Sequence, residues 1–261
     1  MKRIIFYIII FIFTISLTVS YSYQSIVMIS VDALHPDAIS KTNCPNIYSF
    51  IEGGFYLKEG KSTNPPKTLI AHTSMLTGML PEKNGKTDNL WKSGEKKVGV
   101  PTIFTTAKKA GYETVYIYSK EKLGYLADDY VDREIFSRDG QIEEAVKIFN
   151  PEKKQFIFLH ISGLDIVGPE SGWLSGEYIE EFRFIDEMLG YFFDKIKRSK
   201  SYLLVITSDH AGHERIHGSN HPEDFKRPVI FYSNAEKLQI NPKEVAPIEK
   251  LKYAVEKLYL R

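Results

Sequence analysis

Residues 202–210 read YLLVITSDH, an unbroken apolar run that ends in an aspartate and a histidine. A strand buried on both faces of a parallel sheet reads this way, because neither face has to be polar. The same form recurs in Ser25–Val31 (SIVMISV), Thr114–Tyr118 (TVYIY), Gln155–Ile161 (QFIFLHI) and Val229–Tyr232 (VIFY). Helical stretches alternate with these runs. The clearest is Ser175–Arg198, where Phe182, Ile185, Met188, Leu189, Phe192, Phe193 and Ile196 recur at spacings of three and four. Gln141–Phe149 and Ile248–Tyr259 are weaker examples. The alternation predicts a three-layer α/β/α domain with a mostly parallel central sheet.

Three strands run into an acid: Asp32 follows the first, Asp165 lies just past QFIFLHI, and Asp209 follows YLLVITS. Ligands of open α/β sheets bind outside the carboxyl ends of the strands. Bare carboxylates gathered there repel one another, so their convergence predicts a cation site. Cys44 is the only cysteine, which excludes an internal disulfide, a thiolate zinc cluster and a CxxC redox pair. Any metal must therefore be held by His, Asp, Glu or hydroxyl oxygen.

Four of the seven histidines fall in residues 207–222, TSDHAGHERIHGSNHP. Asp209-His210 and His217 read as metal ligands. His213 to His217 also fits H-E-x-x-H, the metalloprotease pattern, which needs both histidines on one face of a helix. Gly212 and Gly218 bracket it too closely for a stable helix, so protease chemistry is not expected. In residues 63–78, TNPPKTLIAHTSMLTG, two prolines keep the chain extended and a helix starts at or just after Thr68. Leu69, Met75 and Leu76 give it an apolar face, and Gly78 ends it. Thr68 then lies at or beside the N-cap, where backbone N–H groups favour a phosphate-like anion. Its hydroxyl needs a base or a metal ion to become a nucleophile.

With 261 residues, 43% hydrophobic and 26% charged, the chain is neither disordered nor a polytopic membrane protein. A formal charge of +1 leaves no nucleic-acid-binding patch. Met1-Lys2-Arg3 and the apolar run Ile4–Val19 read as a secretory signal over residues 1–23, with a membrane anchor through residues 4–20 as the alternative. As a helix the run spans about 24 Å, short of the roughly 30 Å hydrocarbon core. Residues 24–261 are then one exported domain, periplasmic or extracellular.

The order of Asp32, Thr68 in T-x-x-x-H-T-S-x-L-T-G, Asp165, and S-D-H with a following H-G resembles the alkaline phosphatase superfamily. Within it the chain resembles the nucleotide pyrophosphatase/phosphodiesterase branch and its short bacterial relatives. The resemblance runs from Ser25 to about Pro247 and takes in Cys44-Pro45-Asn46, Pro81 to Gly85, Gly111 to Thr114 and His221 to Asp224. It implies two divalent ions, usually zinc, about 4 Å apart. The nucleophile-side ion would take Asp32, Thr68, Asp209 and His210. The water-side ion would take Asp165, His217 and the histidine of a D-x-x-G-H motif. Asn89, in TDNLW, matches the asparagine that bonds the phosphoryl oxygen.

One departure stands out. Where D-x-x-G-H is implied, the chain reads Asp165-Ile166-Val167-Gly168-Pro169. Proline cannot ligate a metal, so the second site lacks a ligand or borrows one from His160, His213, Glu170 or water. The activity implied is hydrolysis of a phosphate ester through a phosphothreonine at Thr68, with a diester, nucleotide or polymeric substrate preferred. A phosphomonoesterase or phosphonate hydrolase with an impaired second metal, and a non-catalytic metal-binding relative, are the alternatives. A sulfatase is disfavoured, because position 68 is threonine in TLIAH and not the cysteine of C-x-P-x-R. Oligomeric state is not legible in the sequence.

Overall fold

The computed structural model describes residues 23–260. The export signal or anchor expected over residues 1–23 lies outside them except for Tyr23. No helix among the described residues is long and apolar enough to cross a membrane.

Seven strands form one sheet: β1 (Ser25–Val31), β2 (Phe55–Lys61), β3 (Glu113–Tyr118), β4 (Arg133–Phe136), β5 (Gln155–Ile161), β6 (Tyr202–Thr207) and β7 (Lys226–Ser233). Their spatial order is β2-β7-β6-β1-β5-β3-β4. The five from β6 to β4 are parallel, while β7 runs antiparallel to β6 and β2 antiparallel to β7. Every residue of β1, β5 and β6 is buried, as their continuous apolar runs predict.

The helices are α1 (Pro45–Gly53), α2 (Thr68–Thr77), α3 (Pro81–Asn84), α4 (Ile103–Lys109), α5 (Gln141–Ile148), α6 (Gly163–Ser171), α7 (Gly176–Ile196) and α8 (Leu251–Tyr259). Alternate residues of each strand point to opposite faces, and two cores result. Ile26, Met28, Phe156, Phe158, Leu203 and Val205 pack against α2, α4 and α8. Val27, Ile29, Ile157, Leu159, Leu204 and Ile206 pack against α1, α5 and α7. Each such side chain contributes roughly 1.5–3 kcal/mol by leaving water. The expected three layers are present.

Ser175 caps α7 by accepting from Tyr178 N. From the middle of α7 the buried carboxylate of Asp186 accepts from Asn46 N (3.0 Å) and Ile47 N (2.8 Å), the unpaired donors at the start of α1. One departure concerns α2. The sequence suggests an amphipathic helix, yet all ten of its residues are buried. Its polar side chains are satisfied internally: Thr73 Oγ1 donates to Leu69 O and Thr77 Oγ1 to Thr73 O, both at 2.6 Å.

Candidate active site

Four chemically active side chains hang from four neighbouring strands. Along the carboxyl edge, β6 leads to Asp209, β1 to Asp32, β5 to Asp165 at the start of α6, and β3 to Lys120. Strands lie about 4.8 Å apart, so these loops are close enough for their side chains to meet. Asp32, Asp209 and His210 are each 0% exposed, and their ligand atoms lie within 4.8 Å of one another. Asp165, His210 and His217 form an adjoining group within the same limit.

Local bonds aim these groups. Ala33 N donates to Asp209 Oδ1 at 3.2 Å, and Leu34 N to Ser208 Oγ at 3.0 Å, tying the β1 and β6 ends together. His210 Nδ1 donates to Ala211 O at 2.9 Å. That bond leaves Nε2 facing Asp209 Oδ2 (3.4 Å), Asp32 Oδ1 (3.5 Å) and Asp165 Oδ1 (4.0 Å). Burial lowers the affinity of this imidazole for a proton, but the carboxylates of Asp209, Asp32 and Asp165 outweigh it and raise the pKa. A cation on Nε2 relieves the same field. His217 stacks on the His210 ring, with centroids 4.7 Å apart. Its pKa is lowered by burial and then by His210.

Thr68 is the first residue of α2 and is buried. The sequence places it at or beside the N-cap; the cap itself is Lys67, whose side chain makes no capping bond. Asn89 Oδ1 accepts from Leu69 N at 2.8 Å, capping the first turn of α2 from outside the helix. Behind Thr68, His72 Nδ1 donates to Thr68 O (2.8 Å), so its Nε2 accepts from Ser30 Oγ (2.9 Å).

The residues offered by the sequence to replace the missing imidazole do not take that role. His160 is wholly buried, with Nε2 on Asp32 Oδ2 (2.9 Å) and Nδ1 on Ser119 Oγ (2.8 Å). Burial brings its pKa down to about 4, so it is a neutral ring orienting Asp32. His213 pairs with Asp224 (2.7 Å) and stacks on His221, in a separate cluster. Glu170 is exposed. Pro169 lies inside α6. The H-E-x-x-H stretch is no helix: His213 and Ile216 bridge as paired strand residues, and Glu214 has φ 47°.

Sequence reasoning missed Lys120. Its Nζ lies 2.6 Å from Asp32 Oδ2, contacts Asp165 Oδ2, and donates to Thr68 Oγ1 at 3.3 Å. Burial disfavours its charge, yet Asp32, Asp165 and Asp209 prevail and raise its pKa. In return, and against the cost of its own burial, Lys120 and His160 hold Asp32 well below the usual carboxylate range. A signal existed in the sequence, since Lys120 follows a parallel strand just as the three acids do.

The donor set fits one divalent ion well. Asp32 Oδ1, Asp209 Oδ2 and His210 Nε2 are buried without a hydrogen-bond partner, and Lys120 Nζ links this group, through Asp32 Oδ2 (2.6 Å), to Thr68 Oγ1 (3.3 Å). Such groups are ordinarily satisfied, and a metal ion would satisfy all three. A second ion is short of a ligand: Asp165 Oδ1 is likewise buried without a partner, 3.5 Å from His217 Nε2, but the third residue within reach, His210, already belongs to the first set.

Comparison with known proteins identifies the family and the fold. Residues 26–258 match the family described as Type I phosphodiesterase / nucleotide pyrophosphatase. Human ectonucleotide pyrophosphatase/phosphodiesterase family member 1 is 25% identical over 230 residues, 75% of this chain and 24% of that protein. The chain thus spans about a quarter of that relative's length. Among solved structures, murine ectonucleotide pyrophosphatase/phosphodiesterase 5, in an inactive threonine-to-alanine form in complex with AMP, superimposes at TM-score 0.60. It is 18% identical, covering 73% of this chain and 57% of that one. The C-terminal periplasmic domain of EcEptC from Escherichia coli, in complex with Zn, superimposes at 0.64 with 13% identity, covering 92% of this chain and 83% of that one. The strand-end carboxylates, the helix opened by Thr68 and the matched residues lead to one assignment: the chain belongs to the type I phosphodiesterase / nucleotide pyrophosphatase family, within the alkaline phosphatase superfamily.

Proposed function

We propose that residues 24–261 form one exported catalytic domain that hydrolyses phosphate esters, diesters by preference, with Thr68 as nucleophile. The observation that carries this reading is the convergence of Asp32, Asp209 and His210, with unpartnered buried ligand atoms, linked through Lys120 Nζ to the hydroxyl of Thr68 at the start of α2. The family and the AMP complex of the murine relative support a nucleotide-like substrate. The zinc complex of the periplasmic neighbour supports zinc as the ion.

Asp32, Asp209, His210 and Thr68 would hold a divalent ion, which supplies Lewis-acid stabilisation of charge and makes the hydroxyl more acidic. Thr68 Oγ1 gives its proton to solvent water and attacks phosphorus in line with the leaving oxygen. The phosphorus–leaving-group bond breaks and the released alkoxide takes a proton from solvent. The NH₂ of Asn89 donates to a non-bridging oxygen, where negative charge grows. Water then attacks the phosphothreonine from the vacated side and passes a proton to solvent, the phosphorus–Thr68 Oγ1 bond breaks, and Thr68 takes a proton back as the product phosphate leaves. Two inversions give net retention at phosphorus.

The test is rapid mixing with bis-p-nitrophenyl phosphate, followed by acid quench and mass spectrometry of the peptide containing Thr68. A threonine carrying the retained p-nitrophenyl phosphoryl group is expected in the parent and not in Thr68→Ala, whose turnover should fall at least about 10³-fold. Equal turnover in Thr68→Ala would overturn the assignment. Cell fractionation checks export, with the activity expected in the periplasmic, extracellular or membrane fraction.

A further inference from the structure

We infer that the Lys120 ammonium stands in for a water-side metal, so that the site works with one divalent ion and one lysine. The inference rests on the reading of Thr68 as nucleophile and of Asp32, Asp209 and His210 as ligands of a first ion.

Position is the first reason. Lys120 Nζ bridges Asp32 Oδ2 and Asp165 Oδ2 and reaches Thr68 Oγ1 at 3.3 Å. Asp165 belongs to the water-side set and Asp32 and Thr68 to the first ion's, so the ammonium lies between the two, where a second cation would share the field of Asp165. The side chain is only 18% exposed and leaves the backbone two residues after β3, directly before the 3-10 turn Glu121–Leu126. Ser119, its neighbour, is tied to His160 Nδ1.

Ligand supply is the second. A catalytic zinc ordinarily has three protein ligands. Asp165 and His217 are two, Pro169 has no donor atom, and both His160 nitrogens are engaged. Charge is the third. Asp32, Asp165 and Asp209 carry three negative charges, which one divalent ion and one ammonium balance. Two divalent ions beside Lys120 would leave an excess of two positive charges in a buried site.

The substitution has a chemical consequence. An ammonium offers three hydrogen-bond donors and no coordination site. It can neutralise a phosphoryl oxygen in the step that forms phosphothreonine. It cannot acidify a water for the step that removes it, as a metal does. Breakdown of phosphothreonine is therefore the slow step.

Zinc content decides the matter without reference to turnover. Protein equilibrated with excess zinc, passed through gel filtration and analysed by plasma mass spectrometry should hold one zinc per chain. The double variant Lys120→Ala/Pro169→His, which removes the ammonium and supplies an imidazole, should hold two. Two zinc ions in the parent overturn the inference, and so does a folded double variant that still holds one. The parent measurement needs no variant to fold. Zero zinc in the parent would sink the first ion's ligand set as well. Failure of the Thr68 reading shows elsewhere, in the absence of phosphothreonine from the parent.

Discussion

His160 Nε2 and Asp32 Oδ2 are 2.9 Å apart, wholly buried, and joined by the hydrogen bond that fixes how Asp32 faces the cation site. Removing the donor should loosen the carboxylate. His160→Leu is expected to weaken zinc affinity about 10–100-fold, the usual effect of losing such a supporting partner. His160→Gln, which keeps an N–H donor, should lose less. Competition against a chromophoric chelator measures both, and equal affinity in His160→Leu would contradict the role.

Asn89 serves two purposes that separate by substitution. Its Oδ1 caps α2 at Leu69 N, and its NH₂ is proposed to bind the phosphoryl group. Asn89→Asp keeps the acceptor and loses the donor. It should fold with parental stability while kcat falls about 10²–10³-fold. Asn89→Ala should show the same kcat loss and also about 1 kcal/mol of destabilisation. Thermal melts alongside steady-state kinetics distinguish the two effects.

Chelation should destabilise the fold. Without a divalent ion, Asp32, Asp209 and Asp165 are left with Lys120 and the neighbouring imidazoles to offset their charge. Adding zinc at 100 times its Kd should stabilise the protein by about 2.7 kcal/mol, which is several degrees in Tm. Differential scanning calorimetry with EDTA and then zinc checks it. A Tm indifferent to zinc would count against the site.

Cys44 is buried and donates to Ser40 O at 3.2 Å; burial pushes its thiol pKa up to about 12. The native protein should not react with Ellman's reagent at pH 8, and should react once unfolded in guanidinium. Since an exposed thiol ionises near 9.0, the stability that Cys44 contributes is complete below pH 9 and is lost as pH rises toward 12.

Arg227 is 0% exposed and bonds only neutral oxygens: Thr207 Oγ1 (2.8 Å), Val245 O (2.6 Å), Ala246 O (3.2 Å) and Lys61 O (3.2 Å). It ties β2, β6 and the 245–246 segment together. Arg227→Ala should cost about 3 kcal/mol or more, because several buried carbonyls lose their donor. Urea denaturation reads the difference.

The strands that hold the site were legible because both faces of β1, β5 and β6 are buried, which leaves continuous apolar runs. Edge strands lack that signature: β2 (FYLKEGK) has a single buried residue and β4 (REIF) none, so neither carries a continuous apolar run. The three acids stood out against apolar strands, and the structure brings all three together with His210. Lys120 did not stand out, because a lysine after a strand resembles ordinary surface charge until three carboxylates surround it. Helix α2 misled for a related reason. Its threonines and serine look like a solvent face, but i−4 bonds to the backbone let them sit inside.

That enclosure of α2 bears on how the proposed hydrolase activity could acquire a new leaving-group preference. The segment carrying Thr68 touches protein on every side, so substitutions there disturb folding before they alter selectivity. The adaptable ground is the rim: Leu90 is 77% exposed beside Asn89, and Ile216 is 52% exposed beside His217. Libraries aimed at residues 87–90 and 214–216 would vary the approach to phosphorus while the attacking oxygen keeps its aim.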